Sequence, residues 1–549
     1  MDKRNYGRNV TIASFAVFIV LFISYFILHQ NTQIISSDNT TMFPMIMDFL
    51  NGNHLLSDWN VNTSTYLFTD TLWCLPLMLL GVHVPTIMSL VSALFHAGFV
   101  SVFLFIILSD EKKRIKSPLV ALYAAGLYLM LFAVVPYAGY TIDNPFYLYL
   151  NLNGHAGTFL FMAVEFLLLY LWRESGYKNK VFPVVFTVYG VMGQMSDTMP
   201  LMVFFGPLCV YGVYSLVWPK LEERNRKKDV FLIITPILIV AAASLINKII
   251  GWCGGLKLIG VPMSLNTPDK IMANIKPMMI KTLILFGYDT KYGITITPYV
   301  VIASAIAVLV AASVIYQIAL ALRSVPDRFG LILALGIVSN LVGFFFINTD
   351  GESASRYLMS IPFFGTALAV KFVLSFADRK ETVKRILFAL VFIIAFGYAA
   401  YNLVNIRKIP NYAVDGEAAA AYLEERGVEN GYGSIWIYTA VSSYTDFDTL
   451  LIPIQWDGLG VGFYHHNVFT NPMWFDHDDI HYVVVQSDED DLYSMGGVRS
   501  DFIKFAGEPD EDMVFGTYEV MYYERDLSVF SITNAMETGT NMQDQVAGN

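Results

Sequence analysis

Long apolar runs separated by short polar stretches fill the first 404 residues of the chain. Most runs have about 18–25 residues, which is enough for a helix to cross roughly 30 Å of hydrocarbon. Eleven runs are predicted to span a membrane, at about 10–28, 84–108, 118–136, 156–172, 181–193, 200–218, 230–247, 297–322, 330–347, 357–375 and 386–404. The pattern predicts an α-helical polytopic membrane protein.

The composition agrees with this fold class. Hydrophobic residues make up 55% of the chain and charged residues only 15%, with a mean hydropathy of +0.51, whereas soluble domains carry about 25% charged residues. The three cysteines lie in or beside apolar runs, which argues against a disulfide framework and a cysteine-based metal site. The net charge of −11 arises largely from an acidic C-terminal region, so a nucleic-acid partner is excluded.

The distribution of Lys and Arg predicts the orientation. Lys3, Arg4 and Arg8 precede the first run, which has no cleavage site of the usual kind and is therefore a retained span with a cytoplasmic N-terminus. Basic connections then alternate with connections poor in Lys and Arg, and eleven spans place the C-terminal region outside. The predicted location is the plasma (cytoplasmic) membrane, with the chain crossing it many times.

Two domains are predicted. Residues 1–404 form the transmembrane domain, with outer loops at 30–72 and 248–295, and residues 405–549 form a small extracytoplasmic α/β domain with a polar tail. In the second domain GEAAAAYLEERGV predicts a helix, GSIWIYTA and HYVVVQS predict strands, and TYEVMYYERDLSVFSI predicts a strand pair.

The outer segment 248–295 departs from the charge rule because it holds six lysines. Within it, Thr267 is placed as an N-cap and Pro268 as the first residue of a helix that breaks near Pro277. Its apolar face suits a helix lying in the outer interface. Two readings stay open for the lysines: they extend to lipid headgroups, or they gather an anionic lipid substrate.

The first outer loop contains Asp38, Asp48, Asp58, Asp70 and no Lys or Arg. Asp38, in SSDNTT, is either a helix cap or solvated carboxylate, or a general base at the membrane surface. Asp58, followed by Trp59, has the form of a sugar-binding pair. The other two aspartates are predicted to be structural.

Further ionisable groups lie at the outer ends of the spans, where charge is costly and therefore indicates function or a structural hydrogen bond. These groups are Asp143, His155 and Asp197. Glu165 lies in the middle of the fourth span and is predicted to make a buried polar contact with another helix.

A second outer cluster lies in NTDGESASRYLMSIP, where Arg356 precedes Tyr357. Arginine is suited to two-pronged recognition of a phosphate. The alternative is an ion pair with Asp350 or Glu352.

The chain has no Walker-type glycine-rich loop and no HExxH motif, so ATP-driven transport has no support. The pair His465–His466 and the run WFDHDD at 474–479 have residue types that bind metals, but exposed acidic loops explain them equally well.

These features together resemble the GT-C superfamily of integral membrane glycosyltransferases. The resemblance is carried by Asp38 soon after the first span, GNHLLSDW before the next span, SRYL at 355–358 and the C-terminal α/β domain. It implies a sugar donor linked to a polyprenyl phosphate and an acceptor polymer, lipid or protein on the outer face. It also implies that Asp38 deprotonates or orients the acceptor and that Arg356 contacts the lipid phosphate.

The remaining candidates for substrate binding are Tyr357, Asp58, Trp59, Asp143, His155 and Asp197. Two departures from the family pattern matter. Asp38 is followed by Asn39 rather than by a second acid, so no metal ligand is assigned and the need for a divalent metal stays open. A WWD-type signature is absent from the C-terminal domain, which disfavours transfer of an oligosaccharide to asparagine. The alternatives are a glycolipid flippase or transporter and a non-enzymatic surface-assembly scaffold.

Overall fold

A computed structural model describes most of the chain. The described residues are 3–32, 37–62, 64–111, 115, 118–132, 152, 154–218, 226–259, 264–286, 297–323, 327–348, 358–376, 382–405, 413–434, 437–456, 463–465, 470–471, 474, 477–486 and 498–529. Up to residue 405 the elements are α1 (Lys3–Thr32), α2 (Ser37–Thr40), α3 (Met42–Leu50), β1 (Asn60–Asn62), α4 (Leu72–Leu79), α5 (Val84–Asp110), α6 (Pro118–Phe132), α7 (Ala156–Glu174), α8 (Val181–Ser196), α9 (Gly206–Val217), α10 (Arg226–Trp252), β2 (Lys257–Ile259), β3 (Ser264–Leu265), α11 (Pro268–Ala273), α12 (Ile275–Ile284), α13 (Pro298–Leu322), α14 (Arg328–Phe346), β4 (Ile347–Asn348), α15 (Ser360–Leu374) and α16 (Thr382–Asn405).

Each predicted apolar run coincides with a helix in the described part of the chain. Six of these helices are long and apolar enough to cross a membrane: Tyr6–Gln30, Val84–Asp110, Ala156–Glu174, Arg226–Trp252, Val300–Leu322 and Arg328–Phe346. The helices at the other five predicted spans are also apolar but shorter. The chain is thus a mainly helical membrane protein, and the number of crossings stays a prediction.

The helices pack through large aromatic side chains. Phe159 of α7 stacks on Phe363 of α15 with ring centroids 3.7 Å apart, and Phe103 of α5 lies against Phe166 and Phe364. Because lipid is as apolar as these side chains, helix association in a membrane depends on such close packing. This aromatic centre joins α5, α7 and α15 into one core.

Successive helices run in opposite directions, which gives the bundle two distinct ends. The Tyr6 hydroxyl donates to the Leu108 carbonyl at 2.8 Å, and Arg173 donates to Asp110 at 2.7 Å, so both contacts lie where α5 ends. We call this the Lys371 end, after the lysine that also contacts Asp110. The opposite end, where α7 begins, is the His155 end. The 27 residues of α5 separate the two by roughly 40 Å.

The C-terminal elements form an α/β domain, as predicted. They are α17 (Ala413–Glu425), β5 (Asn430–Ser434), α18 (Tyr438–Ser443), β6 (Leu450–Trp456), β7 (Phe463–His465), β8 (Tyr482–Gln486), α19 (Arg499–Ala506), β9 (Glu511–Phe515) and β10 (Tyr518–Tyr522). The strands make one mixed sheet in the order β7-β6-β5-β8-β10-β9. Val483 and Val485 face the core under α19, while Val484 faces the core under α17, as alternation along a strand requires.

Two local predictions are corrected. In GSIWIYTA the strand ends at Ser434, and Tyr438 begins a helix instead. The last segment contributes one strand, β10, whose hairpin partner β9 precedes it, while Leu527–Val529 is a 3₁₀ turn.

The helix predicted to lie in the interface begins at Pro268 and breaks near Pro277, as predicted. The break is at Asn274, because a proline in the first turn of α12 needs no amide partner there.

The C-terminal domain packs against the first outer loop. The Thr40 hydroxyl donates to the Thr439 hydroxyl at 2.7 Å, and the Asn60 amide donates to the Thr470 carbonyl at 3.1 Å. The buried indole of Trp59 meets Trp474 edge-on, with centroids 5.2 Å apart. The domain therefore covers the His155 end of the bundle.

Candidate functional site

Several predicted site residues lie outside the described part of the chain. These are Asp143, Arg356 and Tyr357, and, for its side chain, Asp38. The helices on either side nevertheless show where their connections begin and end. α14 runs from the Lys371 end to Phe346, and α15 returns from Ser360. The connection that carries Arg356 therefore begins and ends at the His155 end.

The same reasoning applies to the connection between α6 and α7, which carries Asp143. α6 begins shortly after α5 has reached the Lys371 end, so Phe132 lies toward the opposite end, where α7 starts. The first outer loop and the ends of α8 and α10 also lie there. The described helix ends on either side of these connections thus lie at the His155 end.

The short helix α2 holds the backbone of Asp38 between two other parts of the site. The Asn39 side chain donates to the Leu152 carbonyl at 2.9 Å, three residues before His155. Its neighbour Thr40 is bonded to Thr439 of the C-terminal domain. The cap interpretation of Asp38 does not hold for α3, because Thr41 occupies the position before that helix.

His155 and Asp197, which are 42 residues apart, form a buried pair. The Nδ1 atom of His155 lies 2.6 Å from the Oδ2 atom of Asp197, and the exposed fractions of the two side chains are 18% and 1%. The pairing fixes the ring orientation and makes Nε2 the nitrogen that faces the remainder of the site. A histidine held in this way is able to accept or release a proton at Nε2.

Further donors surround the Asp197 carboxylate. The Thr158 hydroxyl donates to Oδ2 at 2.6 Å, the Met199 amide donates to Oδ1 at 3.0 Å, and the Ser64 hydroxyl donates to Oδ1 at 3.2 Å. Burial by itself would raise the pKa of Asp197, but the charge of His155 and the hydrogen bonds from His155, Thr158 and the Met199 amide outweigh it and lower the pKa. Asp197 is therefore ionised at neutral pH.

The backbone is unusually constrained at His155 and at Tyr66, whose ring contacts it. His155 and Tyr66 both have positive φ angles, of 66° and 53°, a conformation that costs a residue with a side chain about 1 kcal/mol or more. Their rings meet edge-on, and the Tyr66 hydroxyl lies 3.4 Å from Nε2 of His155. Strain of this kind persists where the surrounding structure holds it, and it is frequent at functional sites.

A glycine allows this close approach. A Cβ atom on Gly157 would lie 2.4 Å from the Thr69 carbonyl oxygen and 2.6 Å from Oδ2 of Asp70. The π-helical turn Leu67–Thr71 can therefore touch the first turn of α7 only because residue 157 has no side chain.

The proposed sugar-binding pair Asp58–Trp59 is separated by the fold. Trp59 is fully buried, and its Nε1 atom donates to Asp48 at 2.7 Å, so the ring has no free face for a sugar. This part of the prediction is corrected: Trp59 packs the loop against the C-terminal domain. Asp58 remains exposed, with a φ of 68° and the Lys257 ammonium 4.0 Å away.

Glu165 does not make the predicted polar contact within the described residues. It is fully buried in α7, and neither carboxyl oxygen has a hydrogen-bond partner there. α8 comes close at Gly190, where an added Cβ would lie 3.3 Å from Oε1. An unpaired charge at this depth is strongly unfavourable, which favours the neutral carboxyl.

The Lys371 end holds a different cluster. Lys371, which is fully buried, lies 2.6 Å from Asp110, 2.9 Å from Glu111 and 3.0 Å from Asp327. These three carboxylates also have the spacing of a metal site. The ammonium group of Lys371 contacts all three and so takes the position that a metal cation would need.

Sequence reasoning identified His155 and Asp197 separately but missed three of their neighbours, Ser64, Tyr66 and Thr158. Thr158 had a usable signal, since it lies one turn into a helix that follows a predicted site residue. No feature of the sequence indicated Ser64 or Tyr66, because their contacts depend on the path of the loop backbone.

No family model and no curated protein matches the sequence. Among solved structures, the fold is similar to the archaeal oligosaccharyltransferase AglB from Archaeoglobus fulgidus, in complex with an inhibitory peptide and a dolichol-phosphate. The identity is 11%, the TM-score is 0.46, and the match covers 88% of this chain and 70% of that one.

Proposed function

We propose that the chain is a membrane glycosyltransferase that moves a sugar from a polyprenyl-phosphate donor to an acceptor on the outer face of the membrane. The observation that supports the proposal is that the described helix ends flanking the predicted site residues lie at the His155 end, beside the His155–Asp197 pair and where the C-terminal domain packs. An enzyme on that face has no access to cytoplasmic nucleotide sugars, so a lipid-linked donor supplies both the activation and the location.

In the proposed reaction, an acceptor hydroxyl oxygen bonds to the anomeric carbon as the bond from that carbon to the phosphate oxygen breaks. Polyprenyl phosphate leaves with the electron pair, and the hydroxyl proton passes to a base. Asp38 is the candidate base, because it follows α1 at the membrane surface. Arg356 is the candidate partner of the leaving phosphate, with its permanent charge and two-pronged donor geometry.

The other groups have supporting roles in this proposal. His155, oriented by Asp197, is placed to hydrogen-bond a substrate through Nε2. Tyr357 and Asp143 lie in connections that reach the same end, and Asp58 lies on the exposed part of the first loop. β1 pairs with β2, which brings Lys257 of the second outer loop beside the first. That lysine offers a further cation near an anionic donor.

The proposal is tested by donor cleavage. The full-length protein is purified in nanodiscs and incubated with a panel of radiolabelled polyprenyl-phosphate hexoses, and release of the sugar from the lipid is measured. The wild type should cleave at least one donor, while Asp38→Asn and Arg356→Ala should each abolish cleavage without lowering the yield of folded protein.

Asp448→Asn and Arg323→Ala are matched controls, because both residues are exposed and neither is a predicted site residue. Both should retain wild-type turnover. Full activity in Asp38→Asn would contradict the proposed role of that residue. Movement of an uncleaved donor across the bilayer would favour the flippase, and a chain that neither moves nor cleaves any donor would favour the scaffold.

A further inference from the structure

A pocket opens between the helices at the Lys371 end, far from the proposed glycosyl-transfer site. Three cationic side chains from three helices line it: Arg173 of α7, Lys228 of α10 and Arg328 of α14. Its other walls are apolar or aromatic, and they include Leu208 and Tyr211 of α9. Among the residues that the structure describes, no carboxylate is part of the lining. The pocket therefore combines positive charge with a surface suited to hydrocarbon.

One strained residue holds two of the cations in place. Tyr177 has a φ of 62°, which turns its ring back toward the bundle. Its hydroxyl accepts a hydrogen bond from Nη1 of Arg328, and the Lys228 ammonium lies 5.6 Å from the centre of its ring. The ring also meets Trp172 edge-on, with centroids 5.1 Å apart. Arg328 and Lys228 are thus positioned before any ligand arrives.

The backbone adds to the positive character. α10 begins at Arg226 and α14 begins at Arg328, so the first turns of both helices lie at the pocket. The first turn of a helix carries a partial positive charge, which favours anions. This charge is partly offset by Asp229 in the first turn of α10 and by Asp327, whose Oδ1 accepts a hydrogen bond from the Gly330 amide at 3.2 Å. The three cationic side chains are therefore the main attraction for an anion.

Nearby carboxylates offset part of this charge. Arg173 is paired with Asp110 at 2.7 Å and with Glu174 at 3.4 Å, and Lys228 lies 3.0 Å from Asp229. Asp110 is shared with the buried Lys371, so it neutralises neither cation alone. None of these three carboxylates is among the described residues that line the pocket.

We propose that this pocket binds a phosphate group, with the apolar walls accommodating the adjoining part of a membrane lipid. Basic pockets between transmembrane helices are a general means of binding anionic lipid headgroups. The site is separate from the proposed transferase centre, and its occupancy does not depend on whether the chain transfers sugars.

Native mass spectrometry of the full-length protein tests the proposal. Phosphatidylglycerol, phosphatidylcholine and inorganic phosphate are added separately, and the bound fraction is measured. We expect phosphatidylglycerol to bind well above phosphatidylcholine. Arg328→Gln and Lys228→Gln should each weaken that binding about tenfold or more, since each removes a charge-assisted contact. Arg323→Gln and Lys180→Gln, which change exposed residues near the same end, should bind as the wild type does.

The separate additions of lipid and inorganic phosphate distinguish a lipid headgroup from a free anion as the ligand. Binding of inorganic phosphate that is lost in Arg328→Gln supports the site with a free anion as its ligand. The proposal is overturned if neither phosphatidylglycerol nor inorganic phosphate binds preferentially. It is also overturned if the control variants lose as much binding as Arg328→Gln and Lys228→Gln do. If the glutamine variants fail to fold, a photoreactive phosphatidylglycerol is used on the unmodified chain. It should label the segments around Tyr177 and Arg328, and labelling confined to other segments would also overturn the proposal.

Discussion

Both ends of the helix bundle hold buried charges, but the charges are balanced in different ways. At the Lys371 end, one ammonium group contacts three carboxylates, and Arg173 pairs with one of them. At the His155 end, the buried carboxylate of Asp197 is paired with an imidazole. Lysine and arginine keep their charge at neutral pH, whereas histidine gains or loses a proton near it.

This difference distinguishes a structural cluster from a reactive one. In the Lys371 cluster the cations keep their charge, and the contacts of Lys371 with the three carboxylates join α5, α14 and α15. In the His155 pair, one ring nitrogen is held by Asp197 and the other faces Tyr66 at a long distance of 3.4 Å. The second arrangement leaves Nε2 of His155 with one long contact in the described part of the chain, so this nitrogen can hydrogen-bond a substrate.

The largest expected effect is on the stability of the Lys371 end. Lys371→Met would leave one buried and two half-buried carboxylates without their shared cation, and breaking a buried ion pair in this way costs about 3–5 kcal/mol. We expect a large fall in the thermal unfolding midpoint. The exposed Lys180→Met variant should change the free energy of unfolding by less than about 0.5 kcal/mol. Equal midpoints for the two variants would show that Lys371 is not structural.

Asp197→Asn should have a smaller effect on stability and a larger one on turnover. The amide keeps the shape of the side chain but weakens several charge-assisted bonds, with an expected loss on the order of 2 kcal/mol. Losing the partner that orients the histidine should also reduce donor cleavage about tenfold to a hundredfold. Unfolding midpoints and turnover per folded molecule measure the two effects, and unchanged turnover would remove the pair from the mechanism.

The stabilising effect of Asp197 should depend on pH with a defined sign. Because its pKa in the folded protein is lower than the ordinary value of 3.8, its contribution is fully present above that value and is lost as the pH falls through the folded pKa. The wild type and Asp197→Asn should therefore converge in stability as the pH falls below about 4. A difference that stayed unchanged down to about pH 2 would contradict this account.

The smallest effect is expected where α5 meets the C-terminal domain. His83 and Asp446 form an ion pair at 2.9 Å with exposed fractions of 47% and 51%, and exposed pairs contribute about 0–1 kcal/mol. His83→Ala should therefore hardly move the unfolding midpoint. Asp446→Ala should cost more, since Asp446 also accepts a hydrogen bond from the Val84 amide at the start of α5. The reverse order would indicate that the ion pair itself holds the domain.

The sequence predicted the helices well because twenty-residue apolar runs in a membrane protein have few other folded states. It predicted Asp197 and His155 as candidates but not as partners, since 42 residues and two helix ends separate them. Trp59 was misread because its burial depends on Trp474, in a domain several hundred residues later. Lys371 was passed over inside an apolar run, since its three carboxylate partners become neighbours only when α5, α14 and α15 pack together.

The most direct test of the central claim compares donor cleavage by two matched variants, each normalised to the amount of folded protein. Asp197→Asn changes the carboxylate at the His155 end, and Asp110→Asn changes one at the Lys371 end. We predict that Asp197→Asn cleaves the polyprenyl-phosphate donor at least about tenfold more slowly than the wild type and that Asp110→Asn cleaves it at a wild-type rate. Loss of cleavage in Asp110→Asn together with normal cleavage in Asp197→Asn would place the chemistry at the Lys371 end and contradict the account.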